Sequence, residues 1–256
     1  MPAVSSSMRH VACVIAAVLL LAACQSAPVT GRQQFIVVSD SEANELGAQA
    51  FQEILAQSTI SRDPQMNDTV QRIGKRIAAV TGFSGYDWEF VVIEDPEPNA
   101  FALPGGKVAV HTGMFQVAEN DAQLAAVIGH EIAHATARHS AERMSQQMAL
   151  QYGLDAAGAT SEYAAENIEL LVQTATLGVI LPFSREQEAE ADEIGLIYMA
   201  RAGYDPRAAV DLWRNMQAYG GPGVPEFLST HPSTGNRIAE LEAAMPRALA
   251  IYNENS

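Results

Sequence analysis

His130-Glu131-Ile132-Ala133-His134 is an HExxH pattern. It sits inside a run, Asp121 to His139, that reads as one helix with Asn120 or Asp121 at its start. Two histidines four apart on a helix project from successive turns onto one face, so both imidazoles can reach one metal ion. Glu131 lies about 100° around the helix from His130, beside such a metal and within reach of its water. Leu124, Val127, Ile128 and Ile132 make the helix apolar over most of its circumference, which predicts burial. Buried imidazoles without partners are costly, and metal ligation is a physical reason for their presence. The expected ion is one zinc per chain.

A catalytic zinc takes a third protein ligand and keeps a position open for water. Both cysteines, Cys13 and Cys24, lie at the start of the chain, which leaves histidine or a carboxylate. Ser184-Arg185-Glu186-Gln187-Glu188-Ala189-Glu190-Ala191-Asp192-Glu193 offers five acids on one expected helix. Ser184 and Gln187 form a capping-box pattern that fixes its start. At 100° per residue, Glu188 shares a face with Ala191, Asp192, Gly195, Leu196 and Met199, an otherwise apolar set. Glu188 is therefore the expected third ligand, and Asp192, one turn on, the group that holds a ligating imidazole. Glu186, Glu190 and Glu193 fall on the opposite side and are expected in solvent.

Around these helices the pattern is α+β and mainly helical. Expected helices run from Ser39 or Ser41 to Gln57, from Pro64 to Thr81, from Ala164 to Leu181, from Ser184 to Ala200 and from Asp205 to Gln217, with a last one ending near Ala250. Residues 86–93 alternate as a strand, and two β pieces, Ala100–Leu103 and Lys107–His111, flank the turn Pro104-Gly105-Gly106. If Lys107–His111 is an edge strand, an extended substrate can pair with it. Met144, Met148 and Leu150 form either a lid or an ordinary core stripe.

The first 23 residues read as an export signal. Arg9 and His10 precede a 13-residue apolar run, Val11 to Ala23, too short to span a bilayer. The run ends in Leu21-Ala22-Ala23-Cys24, which resembles the bacterial lipobox, with cleavage before Cys24 and a lipid on its thiol. Residues 24–38 then make a lipidated tether and 39–256 the domain. Acyl chains anchor at about 0.8 kcal/mol per buried methylene. Gln25, rather than Asp, after the cysteine favours the outer membrane, facing the periplasm. The chain carries 15 Lys and Arg against 30 Asp and Glu, which argues against nucleic acid as a partner.

These motifs carry a resemblance that spans nearly the whole mature chain. His130–His134 followed by Glu188-Ala189-Glu190-Ala191-Asp192 is similar to the gluzincin family containing the HtpX and CAAX-prenyl-protease enzymes. Asn99-Ala100-Phe101-Ala102-Leu103-Pro104-Gly105-Gly106 resembles the family's strand ahead of the active helix. His231-Pro232-Ser233-Thr234-Gly235-Asn236-Arg237 resembles its His-Pro segment, and Pro28-Val29-Thr30-Gly31-Arg32 the tether of its periplasmic lipoprotein branch. The resemblance implies a zincin-like domain with zinc on His130, His134 and Glu188. It gives general-base work to Glu131 and an orienting or proton-donating role to Asp192.

His231 with Arg237 matches a segment that reaches the active site. There His231 either stabilises a developing oxyanion, fills zinc's open position and keeps the site latent, or is an ordinary loop residue. His139 is expected at a surface or helix end, and His111 as structural. The expected function is a zinc endopeptidase acting on unfolded or misassembled envelope polypeptides. The alternative is a chaperone-like assembly factor with a closed zinc site. The helical-repeat tail of some periplasmic relatives is missing, so docking through such repeats is not expected.

Overall fold

The computed structural model describes residues 24–160, 183–219, 226–231 and 235–255. The export signal and the helix expected at 164–181 lie outside the described residues. In chain order the elements are β1 (Cys24–Ser26), β2 (Gln33–Phe35), α1 (Asp40–Gln57), α2 (Pro64–Ala78), β3 (Glu89–Ile93), β4 (Ala100–Leu103) and β5 (Lys107–His111). A short 3-10 turn follows, then α3 (Asp121–Thr136), α4 (His139–Thr160), α5 (Arg185–Arg201), α6 (Ala208–Ala218), α7 (Glu226–Thr230) and α8 (Arg237–Asn255). The class is α+β and mainly helical, as the periodicities imply. Among the described residues no helix is long and apolar enough to cross a membrane.

Local chemistry explains where the helices begin. Ser39 caps α1, Asp63 caps α2 ahead of Pro64, and Asn120 caps α3, each accepting from backbone N–H groups one turn in. Ser184 and Gln187 make the reciprocal capping box that opens α5. Helix α3 is the spine of the domain, with every residue from Gln123 to Thr136 buried. Val70, Ile73 and Ile77 of α2 and Phe90, Val92, Val108 and Val110 of the sheet pack into the same core. Each such side chain contributes about 1.5–3 kcal/mol by leaving water.

Helices α3 and α5 meet at two glycines. A Cβ on Gly195 would stand 3.1 Å from the His130 backbone nitrogen, and one on Gly129 would stand 3.3 Å from the Gly195 carbonyl oxygen. The absent side chains let the backbones touch, which brings the histidines of one helix against the acids of the other.

The three-stranded sheet has the order β3-β5-β4, with β3 parallel and β4 antiparallel to β5. Lys107–His111 is thus the central strand, not an edge. All five of its residues are buried, because both neighbours pair with it. The outer strands are β3 and β4, and β4 is joined to β5 through Gly105 and Gly106 at φ +81° and +86°. The expected tether is also more structured than its breakers imply. Strands β1 and β2 form an antiparallel hairpin, with Ala27, Gln34, Ile36 and Val38 buried against the domain. Met144 packs beside Ile36, Val38 and Ala43 while Met148 stays exposed, which fits a satellite core rather than a lid.

Candidate metal centre

Helix α3 stops at Thr136, earlier than expected, because Arg138 adopts a left-handed φ of 60° and α4 starts anew at His139. The residues before that turn behave as the spacing requires. His130 and His134 point their Nε2 atoms at each other, 3.0 Å apart. From α5, Glu188 brings one oxygen 3.4 Å from His130 Nε2 and the other 3.2 Å from His134 Nε2. His231, after α7, places Nδ1 3.2 Å from His130 Nε2 and 3.0 Å from Glu188 Oε1. One ligand atom from each of these four residues lies within 4.8 Å of the others, and all four residues are buried.

The donor set fits a zinc ion. Atoms held about 2 Å from a tetrahedral zinc stand about 3.3 Å apart, close to the spacings seen. Facing imidazole nitrogens and a carboxylate gather lone pairs that a cation satisfies better than they satisfy one another. Burial opposes ionisation of Glu188, yet the three histidines outweigh it and hold it well below the usual carboxylate range. Burial likewise lowers His134 well below its ordinary value, so it stays neutral and able to ligate. His130 is pulled up to about 9, burial being outweighed by Glu188 and Asp192.

The remaining expected residues also converge. Glu131 is buried, its pKa raised first by burial, and it accepts from the Ala102 backbone N–H. Among the described residues its Oε1 has no hydrogen-bond partner, with His231 Nε2 3.4 Å away. An orphaned acceptor beside a metal-ligand cluster is where a reacting water fits. Asp192 Oδ1 is 2.9 Å from His130 Nδ1. Arg237 lies flat on Trp213, 3.5 Å from the ring centroid, and donates to Glu188 at 2.9 Å and to Asp192 at 2.7 Å. It is engaged by two carboxylates rather than aimed at open space.

Two expectations fail. Glu190 is buried rather than solvated, because the β1–β2 hairpin covers that side of α5 with Arg32 and Thr30. Glu186 is exposed and Glu193 half-exposed, as expected. His139 does stand at a helix end, as the first residue of α4, but it is fully buried rather than at a surface: the break at Arg138 turns it back to within 2.8 Å of His134 Nδ1. A lone arginine in a breaker-rich segment and a histidine past a helix end gave no periodic signal for either. His111 is buried on the wall of the cleft, edge-on to Phe101. That cleft, about 510 Å³, is bounded by Phe101, Ala102 and Leu103 of β4 and by Glu131 and His231.

A mainly helical α+β domain with two histidines on one helix and a glutamate on a second defines a gluzincin-type metal centre. Comparison with known sequences gives the family: a profile described as peptidase family M48 matches residues 64–245, and the chain belongs to that family. It is 39% identical over 226 residues to the mitochondrial metalloendopeptidase OMA1 of Schizosaccharomyces pombe, covering 86% of this chain and 66% of the relative. The Arabidopsis thaliana protein of that name is 39% identical over 194 residues, covering 75% and 39%. The Escherichia coli beta-barrel assembly-enhancing protease is 28% identical over 223 residues, covering 83% and 46%. The chain spans less than two thirds of the length of each of these three.

Proposed function

We propose that the chain is a zinc-dependent endopeptidase that cuts exposed or misfolded segments of cell-envelope proteins. The observation that carries this is the unpartnered Glu131 Oε1 beside the buried cluster of His130, His134 and Glu188. Zinc held by those three residues supplies Lewis-acid polarisation of a carbonyl and acidifies water.

The chain's own groups do the rest. Glu131 accepts the proton of the attacking water at Oε1 and returns it to the departing amine. Burial makes its carboxylate a stronger base than an exposed one. Asp192, under Arg237, holds His130 with Nε2 toward the metal. The free edge of β4 takes the substrate in extended form by main-chain hydrogen bonds. This replaces the role first expected of Lys107–His111, and it reads backbone more than side chain. On this reading His231, whose Nε2 is 3.4 Å from Glu131 Oε1, stabilises the developing oxyanion.

Its Nδ1, within ligating distance, supports a second reading in which His231 closes the site and the protein serves as an assembly factor. The E. coli relative's name joins assembly and proteolysis in one protein.

Casein digestion with and without a chelator tests the activity. Glu131→Gln should keep about one zinc per chain and lose 10²–10⁴-fold in rate, roughly the contribution of a general base. Full complementation by that variant in cells favours the assembly factor, while failure to complement favours the peptidase. We also assign the lipid anchor to Cys24, at the periplasmic face of the outer membrane. Cys24→Ser should then leave the membrane fraction, and a variant that still sediments with membranes in high salt refutes the anchor.

A further inference from the structure

His134 joins the metal cluster to a second buried polar system that the proposed chemistry leaves unused. Its Nε2 faces His130 and Glu188, and its Nδ1 is 2.8 Å from His139 Nδ1. On the far side of that ring, His139 Nε2 is 3.0 Å from Glu190 Oε2. Glu190 accepts from Arg32 Nε at 2.5 Å and from the Thr30 hydroxyl. The other guanidinium nitrogens of Arg32 donate to Glu142 at 2.7 and 3.0 Å. Gln187 Nε2 also donates to Glu142, at 2.8 Å. His134, His139, Glu142, Gln187 and Glu190 are all buried.

Donor and acceptor chemistry gives this chain a direction. An ionised carboxylate only accepts, so His139 donates its Nε2–H to Glu190. A neutral imidazole has one N–H, so His139 Nδ1 is an acceptor, and His134 donates Nδ1–H to it. That leaves the lone pair of His134 on Nε2, facing His130 and Glu188. His130 obtains the same tautomer from Asp192 directly; His134 obtains it through a relay.

We propose that His139, Glu190 and Arg32 are positioning residues of the metal centre. Arg32 fixes Glu190, Glu190 fixes His139, and His139 holds His134 in the tautomer that presents Nε2 to the metal. The hairpin of β1 and β2 is by this route a working part of the site. The inference rests on the metallopeptidase reading.

The test measures zinc affinity of the full chain by competition with a chromophoric chelator, alongside kcat and KM on casein. His139→Gln and Glu190→Gln should raise the zinc Kd about 10- to 100-fold, the usual cost of losing a partner of a ligating histidine. Arg32→Lys keeps the charge but loses the fork and should fall between these and the parent. Arg138→Asn is the control: it removes a contact to Gln25 that also pins the hairpin, together with one to Asp40 at the start of α1, keeps a residue tolerant of positive φ, and its side chain touches no member of the relay. It should bind zinc like the parent.

Parent-like zinc affinity in Glu190→Gln overturns the proposal. So does an equal loss in Arg138→Asn, which reduces the effect to hairpin docking. Should His139→Gln not fold, Glu190→Gln and Arg32→Lys, milder changes in the same chain, decide the matter. A parent that holds zinc but cuts nothing counts instead against the peptidase reading, since the affinity series stands without activity.

Discussion

Two arginines bracket helix α5, and the two sides they make differ in how they serve the site. On one side Arg237 forks between Glu188 and Asp192, which face the metal cluster and His130. On the other Arg32 forks between Glu190 and Glu142, and Glu190 reaches His134 only through His139. Arg237 is nearly sealed, while the Arg32 side chain keeps 17% of its surface exposed. In the chemistry proposed above, the direct side would supply a ligand and an orienter from one helical face, and the relayed side orientation alone, from a segment distant in sequence. On that proposal the helix serves the site from opposite faces because different elements cover each.

The largest effect should come from the direct side. Glu188→Ala removes the proposed third ligand and one of the two carboxylates, the other being Asp192, that Arg237 and His130 share. Zinc should be lost or bound far more weakly. Stability should fall by about 3–5 kcal/mol, the order expected when one partner of a buried ion pair is deleted. Metal analysis and chemical denaturation check both. Glu186→Ala, on an exposed position of the same helix, should match the parent, and equal zinc content in the two variants breaks the distinction between faces.

How much of this was legible in the sequence follows the same division. The direct side could be read because it is periodic. His130 and His134 recur at a helical repeat, and Glu188 with Asp192 continues an apolar face. The caps were equally local, Ser184 with Gln187 above all. The relayed side depends on tertiary events that no periodicity encodes. Arg138 must adopt φ 60° for His139 to turn back on His134, and Pro28 to Arg32 must fold over α5 to bury Glu190. Glu190 falls on the polar side of its helix taken alone, and only the hairpin folded over it takes it out of water. The central place of β5 is hidden for a similar reason, since a five-residue strand, Lys107 to His111, does not announce which of its neighbours pair with it.

The relayed side should show itself in acid. Burial opposes ionisation of Glu142, but hydrogen bonds from Arg32 and Gln187 overcome it and hold its pKa below 4.5. A carboxylate lowered in the folded state contributes stability that is fully present above about pH 4.5. That contribution is lost as pH falls through the lowered value. Arg32→Ala should therefore be less stable than the parent at neutral pH, and the gap should narrow below pH 4.5 as Glu142 protonates in both. Urea midpoints of the metal-free proteins between pH 7 and pH 3 check this. A gap that stays constant or widens in acid breaks the assignment of Arg32 as the group that lowers Glu142.

The smallest effect belongs to another acid of the same helix, Glu193. Glu193 pairs with Arg247 of α8 at 2.7 Å, resembling the two brackets in distance and partner type. Their side chains are 41% and 56% exposed, so water screens the pair and competes for both groups. Exposed pairs of this kind contribute about 0–1 kcal/mol. Glu193 has no contact with the histidines, and the apolar face that buries Ile194 and Ile197 remains when its carboxylate is removed. Glu193→Ala should change stability by less than about 0.5 kcal/mol and leave zinc affinity and casein hydrolysis unaltered. If it weakens zinc as much as Glu190→Gln, the helix responds to any lost ion pair along its length, and the two brackets are no longer distinct from an ordinary surface contact.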